Sequence, residues 1–189
     1  MRRKSITINV SNLMEIALTI FSIVFGAICF TKGDKYGLLQ AALILGLVII
    51  LRLLCRIWRR LEDSGLRVWI VFFIIMTKVL GSSLGFYTLV PYWDKLEHFI
   101  SGFLVVSVGS ILYDRLSQEK SVKFNKSLKG WFLFFFAGAA ALWWEVFEFS
   151  MDNWFGMHCQ GGLSDTMWDG IMGTLGGGMM VIYMFIRRE

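Results

Sequence analysis

The chain is short of what a soluble domain uses to turn and to solvate its surface. It has one proline, Pro91, and 17% charged residues across 189 positions. So little charge cannot cover a soluble core, and apolar runs recur along almost the whole length, leaving no room for a soluble domain of ordinary size. Cysteine is scarce as well. Cys29, Cys55 and Cys159 lack any Cys-x-x-Cys partner and are too few for a disulfide framework, so apolar packing is their plain reading. No strand precedes Gly161-Gly162, which removes a phosphate-loop reading, and no strained nucleophile elbow surrounds Ser101. MRRK and the apolar run from Leu13 begin like a signal peptide, but no small-x-small cleavage site closes them, so the run is expected to persist as a span.

What is abundant is hydrocarbon: 56% of residues are hydrophobic and the mean hydropathy is +0.62. A bilayer core needs about 20 apolar helical residues. Six segments qualify, near 13–30, 36–54, 66–90, 93–113, 130–149 and 166–186. The expected fold is therefore all-α: a polytopic integral membrane protein with six transmembrane helices in a single membrane domain over 1–189. The net charge of +5 could suggest nucleic acid, but Lys and Arg fall in short loops, where they act as orientation signals. Arg2, Arg3 and Lys4 precede the first span; Arg52, Arg56, Arg59, Arg60 and Arg67 flank the second loop. Arg115, Lys120, Lys123, Lys126 and Lys129 flank the fourth, and Arg187 and Arg188 end the chain, whereas the odd loops carry only Lys32, Lys35 and Lys95. By the positive-inside rule both termini are expected in the cytoplasm. The third segment is long, and Gly81, Ser82, Ser83 and Gly85 predict a tilt or bend before an outer turn at Pro91. No internal repeat is visible beyond hydropathy.

Against this apolar background the acidic residues stand out. Segment 143–169 holds five carboxylates, one histidine and four tryptophans, within and between the last two spans. Charge at that depth is costly and is normally retained where it pairs, binds a cation or lines a wet pocket. Asp94 and His98 are four apart on the fourth span; Glu145, Glu148 and Asp152 follow at i, i+3 and i+7 on the fifth; Asp165 and Asp169 are four apart on the sixth. The expected topology puts all of them at one level, so three helices can converge on one outward-facing pocket. Several carboxylates there repel one another unless some are protonated or a cation is present. Carboxylates with one imidazole suit a divalent metal such as Mg²⁺, Mn²⁺, Zn²⁺ or Ca²⁺, with iron also compatible. The expected ligands are Asp94, His98, Glu148, Asp165 and Asp169.

Plainer readings stand beside this one. Asp94 and Asp165 can be helix caps, and for those two alone the cap is favoured. His158 reads as a surface residue, and Glu97 points roughly 60–100° away from Asp94 and His98. Lys78 lies in the middle of the third span and needs an interior acceptor, for which Glu145 is the expected partner. Glu15 is expected to reach headgroups or water. Trp93, Trp143, Trp144, Trp154 and Trp168 read as an aromatic belt, while Gly170, Gly173 and Gly177, continued by Gly176, make a small face for close helix approach.

The segments DKLEHFISG at 94–102, WEVFEF at 144–149 and QGGLSDTMWD at 160–169 resemble the YjdF-like family of bacterial inner-membrane proteins. The match is specific over the second half and rests on hydropathy over the first two spans. The resemblance implies a small multi-span protein of the bacterial inner membrane and carries no activity with it. Its pattern residues here are Asp94, Lys95, His98, Trp144, Glu145, Glu148, Gln160, Gly162, Asp165, Thr166 and Asp169.

Three functions fit these residues. The first is a metal-dependent hydrolase or transferase acting on a lipid or lipid-linked substrate, in which Glu145 takes a proton from metal-bound water and His98 helps hold the metal. The second is a proton- or cation-coupled transporter, expected to be a homodimer if six short spans are to form a pathway, with Lys78 as counter-charge. Few polar residues continue inward below Lys78, which favours a one-sided site. The third is a membrane scaffold in which the cluster is a structural polar clasp. Membrane lipids are the expected surroundings in every case.

Overall fold

A computed structural model describes residues 2–58, 65–119 and 125–187, with side chains omitted for 2–9 and 118–119. Several basic residues used above for orientation, Arg59, Arg60, Lys120, Lys123 and Arg188 among them, lie outside the described residues, as do the side chains of Arg2, Arg3 and Lys4. Among the described residues the structure is helical and holds no strand. Six helices are long and apolar enough to cross a membrane: Val10–Lys32, Lys35–Ile57, Leu66–Ser83, Trp93–Ser117, Lys126–Phe155 and Leu163–Ile186. Large apolar side chains such as Leu13, Phe30, Trp143, Phe149 and Leu163 are more than half exposed. Such a surface is unfavourable in water and natural against lipid. The chain packs as two compact units, 1–93 and 94–189, each described by itself.

The first unit contains α1 (Arg2–Lys32), α2 (Lys35–Ile57), α3 (Leu66–Ile74) running directly into a π-helical segment (Ile75–Ser83), and a short α4 (Phe86–Leu89). α1 and α2 form a hairpin whose turn uses Gly33 at φ 69° and Asp34, which caps α2 by accepting the Gly37 N–H at 3.0 Å. Ser11, Glu15 and Ser22 recur at helical spacing and are all buried, with Ser22 Oγ donating to Ala41 O at 2.6 Å.

Glu15 departs from the sequence expectation. Its side chain has no exposure, and its carboxylate accepts from Arg67 Nε at 2.7 Å and Arg52 Nε at 2.9 Å. The reason is the helix face. One turn after Ser11, Glu15 points inward, and two guanidinium groups from α2 and α3 replace the water it would otherwise need.

The interruption expected in the third span is present. The helix widens to π geometry over Ile75–Ser83, where Ser82 Oγ and Ser83 Oγ donate to the carbonyls of Thr77 and Lys78, five residues back, at 3.2 and 2.8 Å. Gly85, at φ 78°, then ends the crossing, so the predicted segment 66–90 resolves into a spanning helix, a left-handed turn and α4. The turn near Pro91 follows as expected.

The second unit is a three-helix assembly: α5 (Trp93–Glu119), α6 (Lys126–Phe155) and α7 (Leu163–Ile186). Asn125 caps α6 by accepting the Ser127 N–H at 3.1 Å, and Gly156 at φ 62° closes it. α7 is gripped on two sides. A Cβ on Gly176 would lie 2.9 Å from the Phe99 carbonyl carbon, and one on Gly102 would strike the backbone of Gly173, Gly176 and Gly177. On its other flank Gly173 and Gly177 face Ala141 and Ala137 of α6. This is backbone-to-backbone contact of the kind small residues permit in membranes. Gly170, counted with this face in the sequence, looks onto open space. Below the contact, Val106, Leu133 and Ala137 form a buried core.

Candidate metal centre

The α5–α7 contact sets the height of the acidic residues. Gly173 lies one turn below Asp169 and close to the His98 carbonyl, so the Asp169 carboxylate comes level with the His98 imidazole. Asp94 stands a turn above His98 on α5, and Glu145 projects from α6. His98 Nε2 then lies 3.7 Å from Asp94 Oδ1, 3.7 Å from Asp169 Oδ1 and 4.0 Å from Glu145 Oε1. None of these is a hydrogen bond. Ligand atoms from Asp94, His98 and Asp169 all fall within 4.8 Å of one another, a group able to hold a metal ion. Donors on one tetrahedral metal at ordinary bond lengths stand about 3.4 Å apart, and the 3.7 Å separations of His98 Nε2 from Asp94 Oδ1 and Asp169 Oδ1 are near that spacing.

Burial divides the cluster into a floor and a rim. On the floor, His98, Glu145 and Asp169 have side-chain exposures of 8%, 5% and 1%. On the rim, Asp94 and Asp165 keep 41% and 35%. Neither Glu145 oxygen has a hydrogen bond of good geometry among the described residues, although Thr166 lies beside it. Buried carboxylate oxygens without donors are costly and mark a place where a further partner would be favourable.

Lys95 is the residue whose role the loop-charge reading missed. Rather than serving only as an interfacial charge, its ammonium reaches Asp169 Oδ1 at 2.7 Å and Oδ2 at 2.8 Å, Asp94 Oδ2 at 3.4 Å, and Asp165 Oδ1 in a close ion pair. It joins α5 to α7 at the rim. In the sequence its only distinguishing mark is its place in the DKLEH pattern.

The remaining predicted residues sort by neighbour. Asp165 is not the first capping residue of α7, a place taken by Gly162; it reaches back to accept the Gly161 N–H at 3.1 Å while holding Lys95. Glu148 is half-buried outside the three-residue group and accepts from Trp144 Nε1 at 2.8 Å. Asp152 shares the helical stripe but serves the following loop, accepting the backbone N–H groups of Cys159 at 2.7 Å and Gln160 at 3.0 Å. Gln160 in turn donates to Thr166 Oγ1 at 3.2 Å. His158 is exposed, as expected of a surface residue. Glu97, set aside in the sequence, is buried. Ser101 Oγ donates to the His98 carbonyl at 2.7 Å, an ordinary helix contact. Lys78 lies half-buried in the first unit and Glu145 in the second, so their pairing stays an expectation.

Six spanning helices with a polar cluster at the end of three of them define a multi-pass membrane protein. The chain belongs to the family described as Predicted membrane protein (DUF2238), whose model matches residues 13–189; this is the YjdF-like family. It is also 30% identical over 104 residues to a protein of Thermotoga maritima named "Uncharacterized protein", an alignment covering 54% of this chain and 53% of that one. The chain thus spans about half the length of this curated relative. No solved structure matches it.

Proposed function

We propose that the α5–α7 cluster is the centre of a metal-dependent hydrolase or transferase of the bacterial inner membrane, acting on a lipid or lipid-linked substrate. Asp94, His98 and Asp169 hold a divalent cation, and Glu145 is the base. The observation that carries the reading is Glu145 itself: a buried carboxylate, both oxygens without good hydrogen bonds, 4.0 Å from the imidazole of a three-donor group. A bound divalent ion makes water acidic enough to ionise near neutral pH and stabilises developing negative charge. Glu145, 4.0 Å from the imidazole, would be placed to receive the proton that such a water gives up. The half-exposed rim of Asp94 and Asp165, surrounded by apolar helix surface, suits a substrate that arrives from the lipid phase.

This reading keeps one membrane domain over 1–189, both termini in the cytoplasm and the cluster at the outer face, with a homodimer as a further option. It is tested by loading protein in mild detergent with Mg²⁺, Mn²⁺, Zn²⁺ or Ca²⁺ and screening lipid phosphates and esters for turnover. Metal-dependent turnover lost in Glu145→Gln supports it. Metal bound without turnover moves the assignment to cation-coupled transport. A second reading, the structural polar clasp, draws on the Lys95 ion pairs, which already tie α5 to α7. It predicts that no metal binds and that variants of the cluster lose only stability.

A further inference from the structure

We propose that Lys95 is the tethered counter-cation of this centre, occupying Asp169 until a divalent ion displaces it. The inference rests on the metal-centre reading and names how that site is filled. Asp169 is the shared residue. Its Oδ1 lies 2.7 Å from Lys95 Nζ and 3.7 Å from His98 Nε2, while Oδ2 accepts from the same ammonium at 2.8 Å.

With only 1% exposure, the Asp169 side chain is cut off from solvent, so in the absence of metal its ionised form needs another cation. Lys95 supplies one. A divalent ion bound through Asp169 Oδ1 would sit within a few ångströms of the ammonium, where repulsion between the two is poorly screened. The ammonium has somewhere to go. Asp165 and Asp94 already contact it, both lie on the half-exposed rim, and the lysine stem has four rotatable carbons. Metal entry therefore exchanges one cation for another on Asp169 and leaves Lys95 paired at the rim. Asp169 and the Lys95 ammonium each keep an oppositely charged partner in either state. Glu145, buried and without good hydrogen bonds, is the group that gains most from the exchange, because the ion brings positive charge to the imidazole side of the cluster.

The consequence is a specific order of affinities. Lys95→Met removes the competitor while retaining stem volume, and metal binding becomes at least tenfold tighter. Lys95→Arg keeps the charge and adds a planar fork that holds carboxylates bidentately, a harder group to displace, and metal binding becomes weaker than in the wild type.

The test is Mn²⁺ titration of the full-length protein and both variants in mild detergent, followed by calorimetry or by the electron spin resonance of free Mn²⁺. Melting temperatures are recorded with and without the ion. The expected order of affinity is Met variant, wild type, Arg variant. Equal affinities, or weaker binding in both variants, overturn the proposal while leaving the metal centre standing. Binding by the Met variant alone supports it, with the wild-type site closed by its own lysine. Binding by none of the three sinks the metal centre and this inference together. If Lys95→Met does not fold, the arginine variant decides: wild-type affinity or better rejects the exchange.

Discussion

Arg67 Nε donates to Glu15 Oε1 at 2.7 Å across 52 positions of sequence, with the Glu15 side chain unexposed and that of Arg67 at 9%. Breaking a buried pair from one side leaves an uncompensated charge, which typically costs about 3–5 kcal/mol. Glu15→Ala and Arg67→Ala should each lower the melting temperature in detergent. Glu15→Ala combined with Arg67→Ala should cost less than the sum of the two, because no buried charge remains between them. Arg52, half exposed, should matter less than Arg67. Thermal unfolding of the variants checks the ranking, and additive losses would contradict it.

The glycines of α7 give a sharper contrast. Gly176→Ala drives a methyl group into the Phe99 backbone, which has no side-chain freedom to yield, whereas Gly170→Ala meets open space. Overpacking of this kind costs about 1–3 kcal/mol or more. The alanine at 170 should be neutral or slightly stabilising through helix propensity. Gly176→Ala should also impair any activity or metal binding, since the same contact sets the height of Asp169. Melting and metal titration of the two variants measure this directly, and equal behaviour would refute the packing argument.

Glu145→Gln preserves shape and removes charge. Because the native carboxylate is buried without good hydrogen bonds, the amide should leave stability unchanged or raise it. Turnover, in contrast, should fall by at least a hundredfold if Glu145 is the base. A variant that loses stability while retaining turnover would assign Glu145 to the fold.

Asp152 should behave as a loop residue. Asp152→Ala frees the backbone N–H groups of Cys159 and Gln160, at a cost of about 1–2 kcal/mol for a cap of this type. Hydrogen exchange should accelerate over 156–162 while metal content remains that of the wild type. Loss of metal in this variant would place Asp152 back with the site.

The spans were legible because length and hydropathy are enough to define them. The observed helices extend past the predicted apolar runs where charged residues such as Lys32, Lys126 and Asp152 still continue the helix. The π segment was legible only as a disturbance, since glycine and serine weaken an α-helical pattern without saying what replaces it. At the site, the i, i+4 pairs Asp94–His98 and Asp165–Asp169 and the depth of Glu145 were readable from spacing. Lys95 was not, because hydropathy cannot separate a lysine at an interface from one folded onto carboxylates of a distant helix. Glu15 failed for the same reason: its partners lie 37 and 52 residues away. Asp152 shared the stripe of Glu145, but at a helix end nearby backbone donors competed for its carboxylate.

In the proposed centre Asp94, His98 and Asp169 hold a metal. Elemental mass spectrometry on protein purified in mild detergent measures it, comparing wild type with a His98→Ala, Asp169→Asn double variant that retains its helical circular dichroism. About one divalent ion per chain is expected in the wild type and none in the variant. Absence of bound metal in the wild type, even after loading with Mg²⁺, Mn²⁺, Zn²⁺ and Ca²⁺, would contradict it and leave the cluster as a structural clasp or a proton-coupled site.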